Sequence, residues 1–361
     1  MENLTRKRIA VLFGGCSSEY GVSLQSAYAV MTHMDTEKYI LLPVGITREG
    51  EWLLYRGALA RIPEDRWHTD RSLCSPVVLS PDRITHGLWV SDGRGGYEMI
   101  SLDAVFPMLH GKNGEDGTVQ GLCELAGIPL VGCDTLSSAL CMDKTRAHRL
   151  AAQGGVAVPR SVELDRLMSD AALVEAVSDL RYPLFVKPVR AGSSYGITRV
   201  TREEELPDAV ALAFAHDSRV TVEESVDGFE VGCAVLGDRE LTVGRVDEIE
   251  LSGGFFDFDE KYTLKTSRIH MPARIDDATE ARICETAKTL YRLLGCSGFA
   301  RVDMFLTLQG EIVFNEINTI PGFTAHSRYP NMMRGIGLDF DEIVDRLISS
   351  VLESAPCAVT V

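Results

Sequence analysis

An arginine, two carboxylates and an amide share one predicted hairpin in the last third of the chain. The segments around Arg301 and Glu316 alternate apolar with polar residues, as half-buried strands do. A turn centred on Gln309-Gly310 would place Asp303 opposite Glu316, with facing Cβ atoms about 4.5–5.5 Å apart. The same register would place Arg301 opposite Asn318. Carboxylate and amide oxygens bind Mg²⁺ together with substrate phosphates, and an arginine stabilises negative charge. The hairpin therefore predicts phosphate chemistry; the alternative is a solvated face with two cross-strand ion pairs.

The bulk composition predicts a soluble globular protein of two or three domains. The chain has 361 residues, of which 45% are hydrophobic and 24% are charged. A net charge of −16 argues against general binding to nucleic acid or to an anionic membrane, because both require a basic face. No apolar run has the length of a membrane span or of a signal-peptide core. Nine cysteines without a C-x-x-C pair favour free thiols, so we expect a cytoplasmic protein.

Strand and helix signals alternate in the first third of the chain. Alternation of this kind predicts an α/β domain with a largely parallel sheet. A polar interval at 52–97 predicts hairpins at one edge of that sheet. The predicted strands are 9–13, 41–46, 104–109 and 129–131, and the predicted helices are 22–33, with Ser23 or a neighbour as its cap, and 121–126.

The remaining two thirds predict two further domains. A helix beginning near Lys144 opens the second domain and ends at Gly154, and Asp276 caps a helix in the third. Other predicted elements are strands 184–186, 197–200, 220–224, 230–236 and 241–250, helices 203–215 and 339–352, and a polar excursion from 252 to 267. We expect domains at 1–140, 141–225 and 226–361.

Two segments in the middle of the chain suggest a nucleotide site. Lys187 ends a predicted strand and is followed by 190–196, a loop of small residues whose N–H groups can fold over phosphates. This loop is not a Walker A motif, and an ordinary turn beside a surface lysine is an open alternative. The carboxylates Glu223, Glu224 and Glu230 could accept hydrogen bonds from ribose hydroxyls, or they could form a solvated acidic loop.

Two other segments suggest a substrate pocket with a lid. Lys261 and Tyr262 lie in the long polar excursion, and such loops often close over active sites. His110 precedes a helix that starts near Thr118, and a helix N-terminus favours an anion such as a carboxylate. A single histidine is more often structural, so both interpretations of His110 stay open. Gly14-Gly15 lacks the third glycine of a dinucleotide fingerprint, which argues against a dehydrogenase.

Taken together, these segments resemble the D-alanine–D-alanine ligase family of ATP-grasp enzymes. The matching motifs run in order through nearly the whole chain: LFGGCSSEYGVSLQSA, LHGKNGEDGTVQGLCELAGIPLVG, MDK, FVKPVRAGSSYGI, EVGCAVLG, EKY, RVDMF and NEINTIPGFTAHSRYP. The resemblance implies an α/β (α+β) ATP-grasp fold with an N-terminal Rossmann-like domain. Within the family, the sequence is most similar to the VanG-like D-alanine–D-serine ligases of glycopeptide resistance.

The resemblance implies roles for individual residues. It assigns ATP binding to Lys144, Lys187, Ser194, Glu223, Glu224, Glu230 and Asn315. It assigns two Mg²⁺ ions, with Mn²⁺ as a possible substitute, to Asp303, Glu316 and Asn318.

The same resemblance assigns the residues that surround the two amino acids. Glu19 would bind the ammonium of the first D-alanine, with Ser193 and Tyr262 hydrogen-bonded to that glutamate. His110 would lie near the first carboxylate, and Lys261 would reach the transferred phosphate. Arg301 and the backbone of Gly322 would form the anion hole. The residues expected around the second substrate are Ser327 at its carboxylate and Asp247, Phe256 and Arg328 beside its side chain.

The implied activity is the ATP-dependent joining of D-alanine to D-serine through an acyl phosphate. The product would be a peptidoglycan precursor that lowers vancomycin affinity. The alternative is a housekeeping D-alanine–D-alanine ligase, whereas D-lactate is disfavoured because Lys261 and Tyr262 are retained. A regulatory nucleotide-binding module with a dead site is disfavoured because every expected ligand is present. The resemblance also implies a homodimer with small-molecule substrates. Gly21 and Ala325 depart from common family residues without touching an expected ligand.

Overall fold

The computed structural model describes residues 6–192, 195–251 and 267–354. Within these residues the strands form three β-sheets, and the helices cover them. None of the described helices is both long and apolar enough to cross a membrane.

The first sheet is parallel at its centre and antiparallel at one edge. Its order is β6-β5-β4-β3-β2-β1-β7, and β1 pairs in parallel with both β2 and β7. Strands β3 to β6 are the antiparallel hairpins predicted for 52–97. The strands are β1 (Lys7–Gly14), β2 (Tyr39–Ile46), β3 (Trp52–Tyr55), β4 (Cys74–Leu79), β5 (Gly87–Ser91), β6 (Tyr97–Ser101) and β7 (Ala104–Met108). The helices that follow these strands are α1 (Tyr20–Thr32), α2 (Thr118–Ala126) and α3 (Thr135–Met142).

Two local predictions for this region are wrong. Helix α1 begins at Tyr20 with Glu19 as its N-cap, so Ser23 is not the cap. The Ser23 hydroxyl is buried and instead accepts from the backbone N–H of Gly14 at 2.7 Å, which ties α1 to the end of β1. The predicted strand 129–131 is reduced to a single bridge, in which Leu130 pairs with Val105.

The second sheet is small and antiparallel. Its order is β10-β9-β11-β8. The elements are α4 (Lys144–Gln153), β8 (Ser161–Leu164), α5 (Asp170–Ala176), β9 (Leu184–Pro188), β10 (Thr198–Val200), α6 (Leu206–Phe214) and β11 (Val220–Glu224). The predicted helix 203–215 divides into a 3-10 turn at Glu203–Glu205 and α6, because a proline occupies the first turn of α6 and favours a helix start there.

The third sheet contains the predicted hairpin. Its order is β15-β14-β12-β16-β17, with β13 paired to β12. The elements are β12 (Gly228–Leu236), β13 (Thr242–Val243), β14 (Asp247–Leu251), β15 (Ser267–His270), α7 (Asp277–Leu293), β16 (Phe299–Thr307), β17 (Ile312–Asn318), α8 (Arg328–Arg334) and α9 (Phe340–Ser354). Asp276 caps α7 as predicted, accepting from the N–H of Thr279.

The predicted strand 241–250 is interrupted between β13 and β14. The N–H of Arg245 leaves the sheet and donates to the carbonyl of Met332 in α8 at 3.0 Å. Helix α8 therefore docks against the break, and its first residue, Arg328, reaches the sheet beneath.

The hairpin of β16 and β17 has the predicted facing pairs and an unpredicted bulge. Asp303 lies opposite Glu316, and Arg301 lies opposite Asn318. The register then shifts, so that Met304 faces Phe314 and Asn315 is the extra residue of the bulge. The regular alternation predicted along β17 is therefore wrong between the bulge and the turn. The residues there face the side opposite to the predicted one.

One apolar core connects the first and third sheets. Phe106 of β7 meets Phe299 of β16 edge to face at 6.2 Å between ring centroids, and Phe299 meets Phe323 at 5.5 Å. A second core lies behind the hairpin and contains Met304 and Phe314. These cores hold the hairpin against the first sheet. The domain boundaries near 140 and 225 stay a prediction.

Candidate active site

A cavity of about 450 Å³ lies between the second and third sheets. Phe185, Phe229, Ile249 and Phe305 give it apolar walls, and a few charged groups converge on it, as in most ligand pockets. It is lined by six of the residues predicted to hold ATP and by one predicted metal ligand: Lys144, Lys187, Glu223, Glu224, Glu230, Asn315 and Glu316.

Two lysine side chains line the cavity, one from a strand and one from a helix. Lys187 on β9 donates to Oε2 of Glu223 at 2.7 Å. Lys144, the first residue of α4, donates to the carbonyl of Ala191 at 3.0 Å and lies 3.3 Å from Oε2 of Glu316. Burial alone would raise the pKa of Glu223, but nearby positive charge, that of Lys187 first, outweighs burial and lowers it. Both lysine side chains thus lie beside a carboxylate at the cavity.

The hairpin brings Asp303 together with Arg301 and Asn318. The Arg301 guanidinium donates to Oδ1 of Asp303 at 2.8 Å and to Oδ2 at 2.6 Å. The Asn318 amide donates to Oδ2 at 2.9 Å, which directs its carbonyl oxygen away from the carboxylate. These contacts fix the side chains that the sequence predicted to share one face.

The donor set at the hairpin fits a hard cation that is also bound by phosphates. In residues 6–192, 195–251 and 267–354, no three His, Cys, Asp or Glu side chains come together as a complete metal site. The predicted set has two carboxylates, Asp303 and Glu316, and the amide oxygen of Asn318. Mg²⁺ characteristically takes one or two carboxylates and fills its other positions with water and phosphate oxygens, so these residues are compatible with Mg²⁺–ATP.

Arg328 joins three carboxylates beneath the cavity. Its guanidinium donates to both oxygens of Asp247 at 2.8 Å and to Oε1 of Glu230 at 3.0 Å. It also lies 3.3 Å from Oδ1 of Asp303. Asp247 is fully buried, and a Cβ at Gly232 would come within 2.2 Å of the Arg328 guanidinium. The absence of a side chain at Gly232 therefore makes room for this network.

Glu19 and Glu115 form a second carboxylate pair, near the first sheet. An added Cβ at Gly111 or Gly192 would lie 2.3 or 2.7 Å from Oε2 of Glu19, so two loops pass close to that carboxylate. Glu115 accepts from the N–H of Gly111 at 2.7 Å and from the N–H of Ile320 at 3.1 Å. Burial, followed by the negative charge of Glu19, raises the pKa of Glu115 to about 8.

His110 is buried with both ring nitrogens engaged. Nδ1 lies 2.9 Å from the carbonyl of Ile320, and Nε2 lies 2.9 Å from the hydroxyl of Ser26. Burial lowers the pKa of His110 to about 4, so the ring is neutral near pH 7. Because a carbonyl only accepts, Nδ1 carries the proton and Nε2 accepts from Ser26. The predicted contact with a substrate carboxylate stays a prediction.

Ser327 and Gly322 lie together in the segment before α8. The Ser327 hydroxyl accepts from the N–H of Thr324 at 3.0 Å. An added Cβ at Gly322 would be 3.2 Å from that hydroxyl. The predicted residues Ser193, Ser194, Phe256, Lys261 and Tyr262 lie outside the described residues.

Sequence reasoning missed several residues at the site. Glu248, Glu250 and Arg274 line the cavity from β14 and beyond β15, where the sequence has no phosphate-binding or metal-binding pattern. His148 contacts Asn315 and approaches Glu223. A signal for His148 was present, since it follows Lys144 by one helical turn and shares its face.

Comparisons with known proteins agree with this geometry. The D-ala D-ala ligase N-terminus family matches residues 8–133, and the D-ala D-ala ligase C-terminus family matches residues 151–349. The chain belongs to the D-alanine–D-alanine ligase family. The α/β ATP-grasp fold predicted from the sequence is confirmed, and ATP with Mg²⁺ is what this family of ligases generally uses.

Three similar proteins carry different names, and two of those names state a substrate. The crystal structure of the VanG D-Ala:D-Ser ligase from Enterococcus faecalis superposes with a TM-score of 0.90 at 60% identity, covering 96% of this chain and 100% of that one. A Streptomyces coelicolor protein provisionally named a D-alanine–D-lactate ligase is 46% identical over 97% of this chain and 99% of its own. The vancomycin C-type resistance protein VanC1 of Enterococcus gallinarum is 45% identical over 95% and 98%. These matches establish the family but not the identity of the second substrate.

Proposed function

We propose that this enzyme joins D-alanine to D-serine in an ATP-dependent reaction. The observation that carries the proposal is the 60% identity to a D-Ala:D-Ser ligase over 96% of the chain, combined with the buried Asp247–Arg328 pair predicted beside the second subsite. The dipeptide would enter peptidoglycan precursors with lowered affinity for vancomycin, a role supported by the resistance name of VanC1. A cytoplasmic homodimer is part of the same proposal.

The nucleotide would occupy the cavity between the second and third sheets. Lys144 and Lys187, with Ser194, would bind the phosphates, because their ammonium groups lie at one end of the cavity beside Glu316 and Glu223. Glu223, Glu224, Glu230 and Asn315 line the same cavity and would bind adenine and ribose. Two Mg²⁺ ions, or Mn²⁺ in their place, held by Asp303, Glu316 and Asn318, would neutralise phosphate charge.

The first D-alanine would lie between Glu19 and the hairpin. Burial and then the charge of Glu19 raise the pKa of Glu115, and an ammonium group beside Glu19 would favour the ionised carboxylates. The substrate carboxylate, near His110, would attack the γ-phosphorus of ATP and release ADP, with Lys261 stabilising the transferred phosphoryl group. The resulting acyl phosphate makes phosphate the leaving group of the next step.

The amine of the second amino acid would then attack the acyl carbonyl. Arg301 and the backbone N–H of Gly322 would stabilise the oxyanion before phosphate leaves and the amine loses its proton. Tyr262, on the loop that carries Lys261, and Ser193 would hold Glu19 and help exclude water from the acyl phosphate.

The second subsite would combine a carboxylate contact with a polar wall. Ser327 would bind the carboxylate of the second amino acid. Asp247, Arg328 and Phe256 would surround its hydroxymethyl group. A pocket that offers a hydrogen bond to this hydroxyl disfavours D-alanine, because its own polar group is then left unpaired at a cost of about 1–3 kcal/mol.

A housekeeping D-alanine–D-alanine ligase is the second candidate. The family descriptions that match the chain name that activity, and most of the proposed residues would serve either acceptor. The two candidates differ in the product made when both acceptors compete.

A competition assay separates the two candidates. Equimolar D-alanine and D-serine are supplied with ATP and Mg²⁺, and the dipeptides are separated by mass. We expect D-Ala–D-Ser to exceed D-Ala–D-Ala by about 5- to 150-fold, which corresponds to the 1–3 kcal/mol estimated above. Mostly D-Ala–D-Ala would reject the serine assignment and keep the ligase. A third arm with D-lactate tests ester formation.

A further inference from the structure

His148 forms a hydrogen bond with the backbone of the bulge in the β16–β17 hairpin. Its Nε2 lies 2.7 Å from the carbonyl oxygen of Asn315, the bulged residue. The imidazole is 5% exposed and meets the ring of Phe314 edge to face at 5.5 Å. A bulged residue is left out of the ladder, and a buried carbonyl without a partner is costly. The imidazole therefore supplies a hydrogen-bond partner for the backbone of the extra residue.

The bulge determines which side of the hairpin Glu316 faces. In an unbroken strand, Phe314 and Glu316 would point to the same face, because side chains alternate with a period of two. In this hairpin Phe314 is buried in the core with Met304. Beyond the extra residue, Glu316 lies opposite Asp303 and lines the cavity. The position of Glu316 thus depends on the bulge that His148 contacts.

Helix α4 contacts the hairpin at two successive residues, Asn315 and Glu316. Lys144 lies 3.3 Å from the side chain of Glu316, and His148, one turn later on the same face, contacts the backbone of Asn315. The other ring nitrogen of His148 is 3.9 Å from Oε1 of Glu223, whose Oε2 accepts from Lys187. His148 therefore lies between the hairpin and the predicted phosphate-binding lysines.

One tautomer of the neutral ring fits these contacts. Burial lowers the pKa of His148, which favours the uncharged imidazole near pH 7. A backbone carbonyl can only accept a hydrogen bond, so the proton of the neutral ring resides on Nε2. The N–H group, rather than a charge, is the functional part of this side chain.

We propose that His148 is a positioning residue for the metal and nucleotide site, which holds the Asn315 bulge so that Glu316 faces the cavity. The proposal rests on the proposed function, in which Glu316 binds Mg²⁺ beside ATP. It adds a residue that touches neither metal nor nucleotide. Partners in the outer shell of a metal site typically change metal affinity or activity by roughly 10- to 100-fold when they are lost.

The test measures metal binding without the amino-acid substrates. Mn²⁺ is titrated into the full-length enzyme with ADP, and free Mn²⁺ is measured by electron paramagnetic resonance. H148F keeps a ring against Phe314 but removes the N–H donor, and we expect Mn²⁺ to bind roughly 10- to 100-fold more weakly. H148Q retains an N–H donor and should restore most of the affinity. In phosphate-release assays, H148F should raise the Mg²⁺ concentration for half-maximal rate more than it lowers kcat.

The matched control is H33F, since His33 also has a ring nitrogen 2.7 Å from a backbone carbonyl, that of Ala29, at the end of α1. It should bind Mn²⁺ as the unaltered enzyme does. Unchanged Mn²⁺ affinity in H148F, or equal weakening in H148F and H148Q, would overturn the proposal. If H148F does not fold, H148M takes its place in the same comparison with H148Q. Because no amino acid is present in the titration, failure of the unaltered enzyme to make dipeptide would count against the proposed function alone.

Discussion

Two groups of largely buried carboxylates in this enzyme differ in the charges that lie beside them. Asp303, Asp247 and Glu230 share the guanidinium groups of Arg301 and Arg328, with donor–acceptor distances from 2.6 to 3.1 Å for their hydrogen bonds. Around Glu19 and Glu115, by contrast, burial and like charge raise the pKa of Glu115. The first group is paired with fixed guanidinium groups, whereas Glu115 accepts hydrogen bonds from backbone N–H groups and lies beside a carboxylate of like charge.

The difference indicates which group is a fixed scaffold and which group responds to a bound cation. A buried ion pair with complete hydrogen bonds fixes geometry, but replacing it with apolar residues of similar volume often costs no stability. A cation favours the ionised form of nearby carboxylates, and the ammonium of D-alanine is such a cation. We therefore interpret the arginine-paired carboxylates as a preformed frame and the Glu19–Glu115 pair as the part whose protonation responds to binding.

The largest expected effect is at Glu316, which adjoins both groups. Glu316 pairs with Lys144 and also contributes to the raised pKa of Glu115. E316Q removes one negative charge from the predicted metal site, and we expect phosphate release to fall on the order of 10³-fold. Steady-state phosphate release at physiological Mg²⁺ measures this, and circular dichroism verifies the fold.

The control for this substitution is E311Q at the exposed start of the same hairpin strand. It removes the same charge far from Lys144 and should leave the rate unchanged. Near-normal turnover of E316Q would reject the metal assignment and the interpretation of the hairpin that follows from it.

The second prediction tests whether the arginine-paired group is a frame. D247A leaves the Arg328 guanidinium buried with Glu230 and Asp303 as its remaining partners. Breaking one member of a buried pair costs about 3–5 kcal/mol, and these remaining contacts favour the lower end. Urea unfolding provides the measurement.

D247A should also reduce the preference for D-serine more than it reduces use of D-alanine in the competition assay.

An exposed ion pair provides the contrast. Arg346 donates to Glu342 one turn earlier on α9, where both side chains are about half exposed. E342A should change the free energy of unfolding by only about 0.3–0.5 kcal/mol. Equal losses in D247A and E342A would mean that the Arg328 network contributes nothing special to stability.

The same two groups show how far the sequence could predict this site. The facing pairs Asp303–Glu316 and Arg301–Asn318 followed from alternation and a plausible turn. The bulge next to them, on the turn side of Asp303, was missed, because a register shift depends on what packs behind the strand, here Phe314 in the core and His148 at the bulge. The local sequence pattern predicts the period-two alternation of a strand but not the tertiary contact that interrupts it.

Connections between distant segments were the harder part. Glu115 ties Gly111 to Ile320, more than 200 residues along the chain, and nothing in either segment specifies the other. Parallel strands at 9–13 and 104–109, in contrast, were predictable because buried strands have continuous apolar runs. The roles assigned to individual site residues came from family resemblance and stay predictions until tested.

The smallest expected effect is a pH slope from Glu115, which tests whether this carboxyl group titrates with a raised pKa beside Glu19. Its pKa is raised from 4.5 to about 8 in the folded enzyme. Between these values the folded state holds a proton that the unfolded chain lacks, so stability falls as pH rises. His110 has the opposite effect, because its pKa is lowered from 6.5 to about 4 and stability falls as pH drops below 6.5. The two effects oppose each other below pH 6.5, which leaves pH 6.5 to 8 as the informative window.

In that window the unfolding free energy of the unaltered enzyme should fall by at most about 1.4 kcal/mol per pH unit. E115Q should flatten this slope, although its overall stability also drops because the amide replaces one acceptor of the Gly111 and Ile320 N–H groups. E37Q, at an exposed glutamate, controls for the background slope. Saturating D-alanine should flatten the slope of the unaltered enzyme as well, since its ammonium beside Glu19 would lower the pKa of Glu115. A slope that persists in E115Q would show that another titrating group causes it, and the contrast between the two carboxylate groups would then fail.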